Sequence, residues 1–363
     1  MNMRNIINIS LIIGIFAIGY TEEILDKETV ALAKTCIEKA LKWAETTQNE
    51  DGSWTKYPLP GITGLMIQCF LKAGYKEDYP VVKKGIEYIL SHVQSDGGIY
   101  SKGGAASQNT GICIIALHLT KNPKYEKIIE NGRNYLKGIQ FTDSSSKFYG
   151  GIGYGSKDTP NMETMLWALE ALKKTAKSTA EERPTNDPDN PNVWDRAIKF
   201  LERCQNRKES NDQEWAGDDG GFIYSPEPES KAGGTRSYGS MTYAGLLSFI
   251  YCEVSKKDPR VHAAYNWIKN HYTLEENPEL GYDGLFYYYH TFAKALDAYG
   301  ENLLIDAKNK KHNWKKEFIE KMAKLQHKDG YWVNEKSKRW IEDSKELVTA
   351  YCILSLLYCI SEK

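Results

Sequence analysis

No stretch of 18 or more consecutive apolar residues occurs in this 363-residue chain, so no segment reads as a membrane-spanning helix. An excess of charge is missing too: 47 Lys and Arg stand against 48 Asp and Glu, a net of −1. A nucleic-acid partner is therefore not expected, because such binding needs a basic surface to displace condensed counterions. The 7 cysteines, an odd number, form no C-x-x-C pair and no dense framework. Most of them, like Cys113 in Ile112-Cys113-Ile114-Ile115, lie in apolar runs. There a thiol behaves as a small buried hydrophobe, and core packing is favoured over metal binding or disulfides. A hydrophobic fraction of 41% with 26% charge excludes collagen-like, disordered and low-complexity classes. What is plentiful is aromatic surface: 24 Tyr and 9 Trp have to be placed somewhere.

The first residues differ from the rest. Arg4 precedes an apolar stretch from Ile6 to Ile18, and Ala17 and Gly19 supply small residues upstream of a cut after Gly19. This is the layout of a secretory signal peptide over 1–19, which predicts an exported protein, periplasmic or secreted, whose mature chain is 20–363. A buried or amphipathic first helix is the plainer alternative. No Cys follows the apolar run, so a lipoprotein anchor is not expected.

One phrase recurs along the remainder. Gln48 to Trp54 reads Q-N-E-D-G-S-W, Gln94 to Tyr100 reads Q-S-D-G-G-I-Y, and Gln326 to Trp332 reads Q-H-K-D-G-Y-W. Looser copies run from Gln140 to Tyr154, from Gln205 to Tyr224, and from Glu279 to Phe286. Each copy follows an amphipathic run with helical spacing, such as Ile86, Ile89, Leu90 and Val93, and precedes a more apolar one, such as Gly111 to Leu119. Asp-Gly and Gly-Gly break the chain between them. The apolar helices each begin near a Thr: Thr63, Thr110, Thr164, Thr242, Thr291 and Thr349. Repeats of this size cannot bury their faces alone and must stack. The reading is an all-α (α/α)6 toroid, a single domain in which the apolar second helices make an inner ring and the first helices an outer one. Glu181 to Asn192 and Asp212 to Gly234 read as long surface loops, where binding residues often sit.

The Q-x-x-D-G-x-W phrase is similar to the repeat of squalene–hopene and oxidosqualene cyclases, and the paired-helix ring resembles the protein prenyltransferase β subunit as well. Tyr149 to Gly155 and Arg236 to Leu246 look most like bacterial prenyltransferase/squalene-oxidase-repeat proteins. The resemblance covers nearly all of residues 27 to 360. It implies the terpenoid cyclase/prenyltransferase toroid fold, but fold does not deliver function. A prenyltransferase would hold zinc on an Asp, a Cys and a His. Tyr289-His290-Thr291 retains the His, whereas Tyr238-Gly239-Ser240 stands where Asp-Gly-Cys would be. Zinc wants three or four N, S or carboxylate ligands, so no metal and no cofactor is expected. A cyclase of this family would protonate its substrate from D-x-D-D-T. Here Pro160-Asn161-Met162-Glu163-Thr164 keeps one carboxylate, too little for the family's strong acid.

What remains at the inner-helix rim is polar and aromatic. Glu163 and His290 are the acid–base candidates, and Gln108, Asn109, Tyr238, Ser240 and Tyr289 the ligand-binding ones. Each of the first two has a plainer role, Glu163 in a helix start that favours acids and His290 as a bond to a neighbouring loop. Three functions stay open: a hydrophobic-ligand or lipid-handling toroid, enzymatic or only binding; a carbohydrate-active toroid of the lyase or hydrolase kind; and a non-catalytic secreted scaffold. Inner helices apolar along their length favour the first, with an isoprenoid in the central cavity. The leader reading has a direct check. N-terminal sequencing of protein from the native cell should begin near Tyr20, and an intact Met1 would overturn it.

Overall fold

The computed structural model describes residues 25–177, 183–227 and 230–361; the expected leader lies outside them. In chain order the helices among these residues are α1 (Lys27–Thr47), α2 (Pro60–Lys72), α3 (Pro80–Leu90), α4 (Ala106–Leu119), α5 (Glu126–Gly138), α6 (Met162–Lys174), α7 (Val193–Cys204), α8 (Gly239–Tyr251), α9 (Pro259–Asn270), α10 (Leu285–Tyr299), α11 (Trp314–Leu325) and α12 (Lys345–Ile360). The odd helices have one buried stripe. In α5 it is Ile129, Gly132, Arg133 and Leu136, the three–four spacing of a helix with one face on a core. The even helices are covered all round: in α4 Ala106, Ser107 and every residue from Asn109 to Leu117 are buried. A helix with no polar face must lie inside. Accordingly α2, α4, α6, α8, α10 and α12 pack each on the next, and α12 returns to α2 to close the ring. The thiol of Cys69 on α2 donates to the Ala350 carbonyl on α12 at 3.5 Å across that closure. All the cysteines are free and buried.

The recurring phrase explains how the pairs are held together. The Gln326 amide donates to the Gly330 carbonyl in its own loop and to the Cys36 carbonyl of α1, the next outer helix around the ring. Gln48 does the same with Gly52 and Val81, Gln140 with Gly150 and Val193, and Gln205 with Gly220 and Arg260. Gln94 departs, staying within its own loop on the carbonyls of His92 and Tyr100. Gly has to follow because the loop lies directly on the next outer helix. At Gly330, φ +104°, a Cβ would meet the Lys39 carbonyl oxygen at 2.5 Å, and at Gly52, φ +89°, that of Lys84 at 2.4 Å. Trp54 and Trp332 are buried, and their indoles donate to carbonyls of the preceding outer helix, Ala44 at 2.7 Å and Met322 at 2.9 Å.

The Thr register ties the same loops to the inner ring. The backbone N–H groups of Trp54, Ile99, Phe222 and Trp332 donate to the hydroxyls of Thr63, Thr110, Thr242 and Thr349 at 2.9 to 3.1 Å. Thr164 instead donates to the Ile152 carbonyl, and Thr291 bonds only carbonyls of its own helix.

One expectation fails. The inner helices are not apolar along their length, since Glu170 on α6 pairs with Lys294 on α10 inside the barrel, each almost wholly buried. A helix enclosed on every side has no exposed face to betray which residues look at the barrel axis.

The Thr ties make a stability prediction. Thr349→Val keeps the shape but leaves the buried Trp332 N–H without an acceptor, which should cost about 1–3 kcal/mol in urea unfolding. Thr291→Val removes a donor from carbonyls already inside a helix and should cost clearly less. Equal losses would refute the tie.

Candidate functional site

The connections between outer and inner helices bring the N-terminal ends of the inner helices to one face, and two adjoining lobes with a shared wall open there. One lobe, about 740 Å³ including its open mouth, lies against α2, α4 and α12 and is walled by Leu59, Ile62, Leu65, Ile112 and Leu347. The other is narrower, about 470 Å³ including its open mouth; it lies against α8 and α10 and is walled by Tyr224, Tyr238, Ser240, Met241, Tyr287 and Glu342. Glu163, Trp340 and Tyr351 line both. The first lobe is mainly aliphatic but also carries Gln108, Asn109 and Tyr154, and the second is aromatic and acidic.

Glu163 is not the cap of its helix. Asn161 caps α6, its side chain accepting from the N–H groups of Glu163 and Thr164. The Glu163 carboxyl is thereby left for side chains. Gln108 donates to one oxygen at 3.1 Å and the Tyr154 hydroxyl to the other at 3.0 Å. Tyr154 in turn meets the Tyr224 hydroxyl at 3.1 Å, making a chain of three groups along which donor direction can reverse. Burial pushes the Glu163 pKa up, against the lowering effect of those two bonds. The group keeps its proton more readily than an ordinary carboxyl.

A second acid was invisible in sequence. Glu342, 1% exposed, accepts the Tyr287 N–H at the start of α10 at 2.7 Å and the Asn334 amide at 2.7 Å. An anion there faces the positive end of α10, yet burial outweighs this and pushes its pKa up to about 7. Glu342 holds down the connection before α12. In that connection Trp340 (φ 56°) and Ile341 (φ 64°) both sit in the left-handed region, a strained arrangement for bulky side chains. The result lays Trp340 on Gly284, where a Cβ would lie 2.9 Å from the indole. The signal available beforehand was the long connection between Trp332 and α12, with an aromatic and an acid in it.

The other sequence candidates divide. Asn109, 3% exposed, accepts the Gly61 N–H at 2.8 Å while its amide nitrogen has no partner and its side chain lines the apolar lobe. Ser240 exchanges bonds with Asn277, at 3.0 Å through its N–H and 3.2 Å through its hydroxyl. Tyr238 lines the polar lobe. Gln108, Asn109, Glu163, Tyr238 and Ser240 are therefore brought together. Tyr289 is not among them: its hydroxyl donates to the Leu274 carbonyl at 2.7 Å on the outer side of α10. His290, 1% exposed, lies one layer behind the wall, stacked between Trp167 (5.8 Å) and Tyr351 (5.1 Å), with neither ring nitrogen bonded. Burial, then the nearby Lys294 charge, hold its pKa well below the usual value, so it is neutral. The expected convergence of Tyr289 and His290 on the mouth fails because a helix turns successive residues about 100° apart, and here the loop side takes Tyr289 and the barrel axis takes His290.

This arrangement does not fit zinc. A ligand set of Tyr238, Ser240 and His290 offers an imidazole shut between two rings and no thiolate, and Glu170, the carboxylate near His290, is paired with Lys294. Among the described residues no three His, Cys, Asp or Glu side chains group as metal ligands.

A profile of the prenyltransferase alpha-alpha toroid domain matches residues 134–276 and 256–363, together more than half of the chain. The chain belongs to this family. Its closed ring of six helix pairs is that of the terpenoid cyclase/prenyltransferase toroid superfamily. Among solved structures it is similar to a variant of the type II terpene cyclase MstE from Scytonema in apo form, with 12% identity, a TM-score of 0.58 and coverage of 92% of this chain and 99% of that one. The same cyclase with geranylgeranyl dihydroxybenzoate, its substrate, matches at 12% identity and a TM-score of 0.54, over 92% and 99%. A protein from Actinoplanes matches at 12% identity and 0.55, over 91% and 100%. Likeness at this identity establishes the fold alone. No relative among curated proteins matches the chain in sequence.

The toroid's second acid gives a pH prediction. With a folded pKa of about 7 against an ordinary 4.5, native Glu342 holds its proton where the unfolded chain has lost it. Stability from this group is thus present below pH 4.5 and falls as pH rises to about 7, by about 3 kcal/mol at most. Urea unfolding at pH 5 and pH 8 should show wild type losing stability relative to Glu342→Gln. A constant difference would place the Glu342 pKa in the ordinary range.

Proposed function

We propose that this toroid binds a short isoprenoid or similarly hydrophobic molecule in the two-lobed cavity, apolar chain in one lobe and polar end in the other, with Glu163 at the junction. The observation that carries this is the position of Glu163, the one carboxyl that lines both lobes and is held there by Gln108 and Tyr154. Export of the mature chain from Tyr20 belongs to the same proposal.

The site supports holding such a molecule more than cyclising it by the family's acid. Protonating an alkene demands a strong acid, and burial makes Glu163 a weaker one. What Glu163 can do is hold its proton more tightly than an ordinary carboxyl and share it with a polar group on the ligand. Depth is limited as well. Directly behind Tyr351 lie His290 and Trp167, and behind those the Glu170–Lys294 pair, so the barrel below the mouth is filled. A glycan cleft would bring several Arg, Asn and Asp together with stacked Trp; Asn109 and Trp340 line the lobes, but no Arg or Asp joins them.

Isothermal titration with prenyl alcohols tests this. A ten-carbon alcohol should bind, and a twenty-carbon one should bind at least about tenfold more weakly, a difference of about 1.4 kcal/mol, because the filled barrel cannot take the longer chain. Glu163→Gln should weaken the shorter alcohol without changing the helical circular dichroism. Binding of neither alcohol would overturn the reading, and equal or tighter binding of the longer one would overturn the depth limit.

A further inference from the structure

The polar lobe has a composition that selects the charge of what enters it. Its wall is built from the phenol rings of Tyr224, Tyr238, Tyr287 and Tyr351 and the indole of Trp340, with the carboxyls of Glu163 and Glu342 between them. An aromatic ring presents negative charge on its face, and rings gathered around one space attract a cation. Two acids in the same enclosed space act in the same direction, because a positive ligand relieves the cost of ionising them. The chain itself places an ammonium here: the Lys231 amine lies over the Tyr224 ring, 4.6 Å from its centre, and Lys231 also lines this lobe. The Arg339 guanidinium, whose charge acts on Tyr238, is spent elsewhere. Arg339 donates to Asp283 at 2.9 Å and stacks on the Trp340 ring, 4.5 Å from its centre. A diphosphate would therefore meet two carboxyls and one lysine in a region of low dielectric.

We infer that the polar lobe is a cation site, and that the ligand is an amphiphile with an ammonium head and a short apolar tail rather than a prenyl phosphate or diphosphate. The head sits among the rings at Glu163 and Glu342, in the place toward which Lys231 already leans, and the tail lies in the apolar lobe between α2, α4 and α12. The unpartnered Asn109 amide, in the wall of the tail lobe, takes an acceptor on the ligand if one is present. This inference rests on the two-lobed binding reading and adds the head group to it.

Three compounds with the same ten-carbon chain separate the outcomes: geranylamine, geraniol and geranyl diphosphate, titrated calorimetrically at pH 7 into the full-length protein. Geranylamine should bind at least about tenfold more tightly than geraniol, and geranyl diphosphate should not compete with it. Glu342→Gln should reduce the preference for amine over alcohol, with Glu163→Gln as the second variant should the first fail to fold. Lys231→Gln should raise the preference for geranylamine over geraniol, since it removes a competing cation. Diphosphate binding as tight as the amine, or loosened by Lys231→Gln, would overturn the inference while leaving the hydrophobic-ligand reading intact. Equal affinity for amine and alcohol would do the same. Binding of none of the three would overturn both.

Discussion

The structure depends on a contact between loop and helix that leaves no room for a side chain. Wherever the Gln-to-aromatic phrase occurs in its full form, a glycine backbone rests on a carbonyl of the next outer helix, and the Gln amide reaches another carbonyl one turn earlier. Gly330 lies against Lys39 while Gln326 holds Cys36; Gly52 lies against Lys84 while Gln48 holds Val81. Bonding to a carbonyl that already accepts within its helix uses its second lone pair and takes nothing from the helix. The outer ring is thus joined pair to pair by groups that sequence variation on the exposed face leaves untouched. The Thr hydroxyls do the corresponding work on the inside, where the loop's own N–H would otherwise be buried without a partner.

Once the ring is closed, the site follows from helix polarity. All inner helices enter from the same side, so their unpaired N–H groups, and the acids those groups favour, collect at one mouth. Glu163 and Glu342 reach it by different routes, the first from the opening turn of α6 and the second from a connection that folds back onto the start of α10. Neither is paired with a buried cation. Both consequently hold protons more tightly than ordinary carboxyls, and the space between them is an enclosed, aromatic-walled region whose electrostatics favour positive charge. Behind the mouth, inside the inner ring, lie the stacked rings of Tyr351, His290 and Trp167 and the Glu170–Lys294 pair.

Much of this was legible without coordinates. The recurring phrase, the alternation of amphipathic and wholly apolar runs, and the Thr register together determine a closed ring of helix pairs, because no other arrangement buries the apolar helices on all sides. The same register pointed to Glu163, Gln108, Asn109, Tyr238 and Ser240 as neighbours at the rim, since position along an inner helix translates directly into height in the barrel. Height is what a repeat encodes.

Rotation about the helix axis is what it does not encode, and there tertiary structure decided. Tyr289 and His290 are adjacent in sequence at the right height, yet one turns to the Leu274 carbonyl and the other to the stack on the barrel axis. A helix buried on every face carries no apolar–polar alternation from which to read that turn. Glu170 and Lys294, 124 residues apart, meet inside the barrel for the same reason, each passing in sequence for one polar residue in an apolar run. Glu342 and Trp340 were out of reach differently: they sit in an irregular connection with backbone in the left-handed region, whose path is set by an α10 terminus 55 residues away along the chain. Sequence alone determined the ring and the height of its polar rim; only the folded packing determined which side chains face the cavity, because that depends on helix rotation and loop path, for which this chain has no periodic signal.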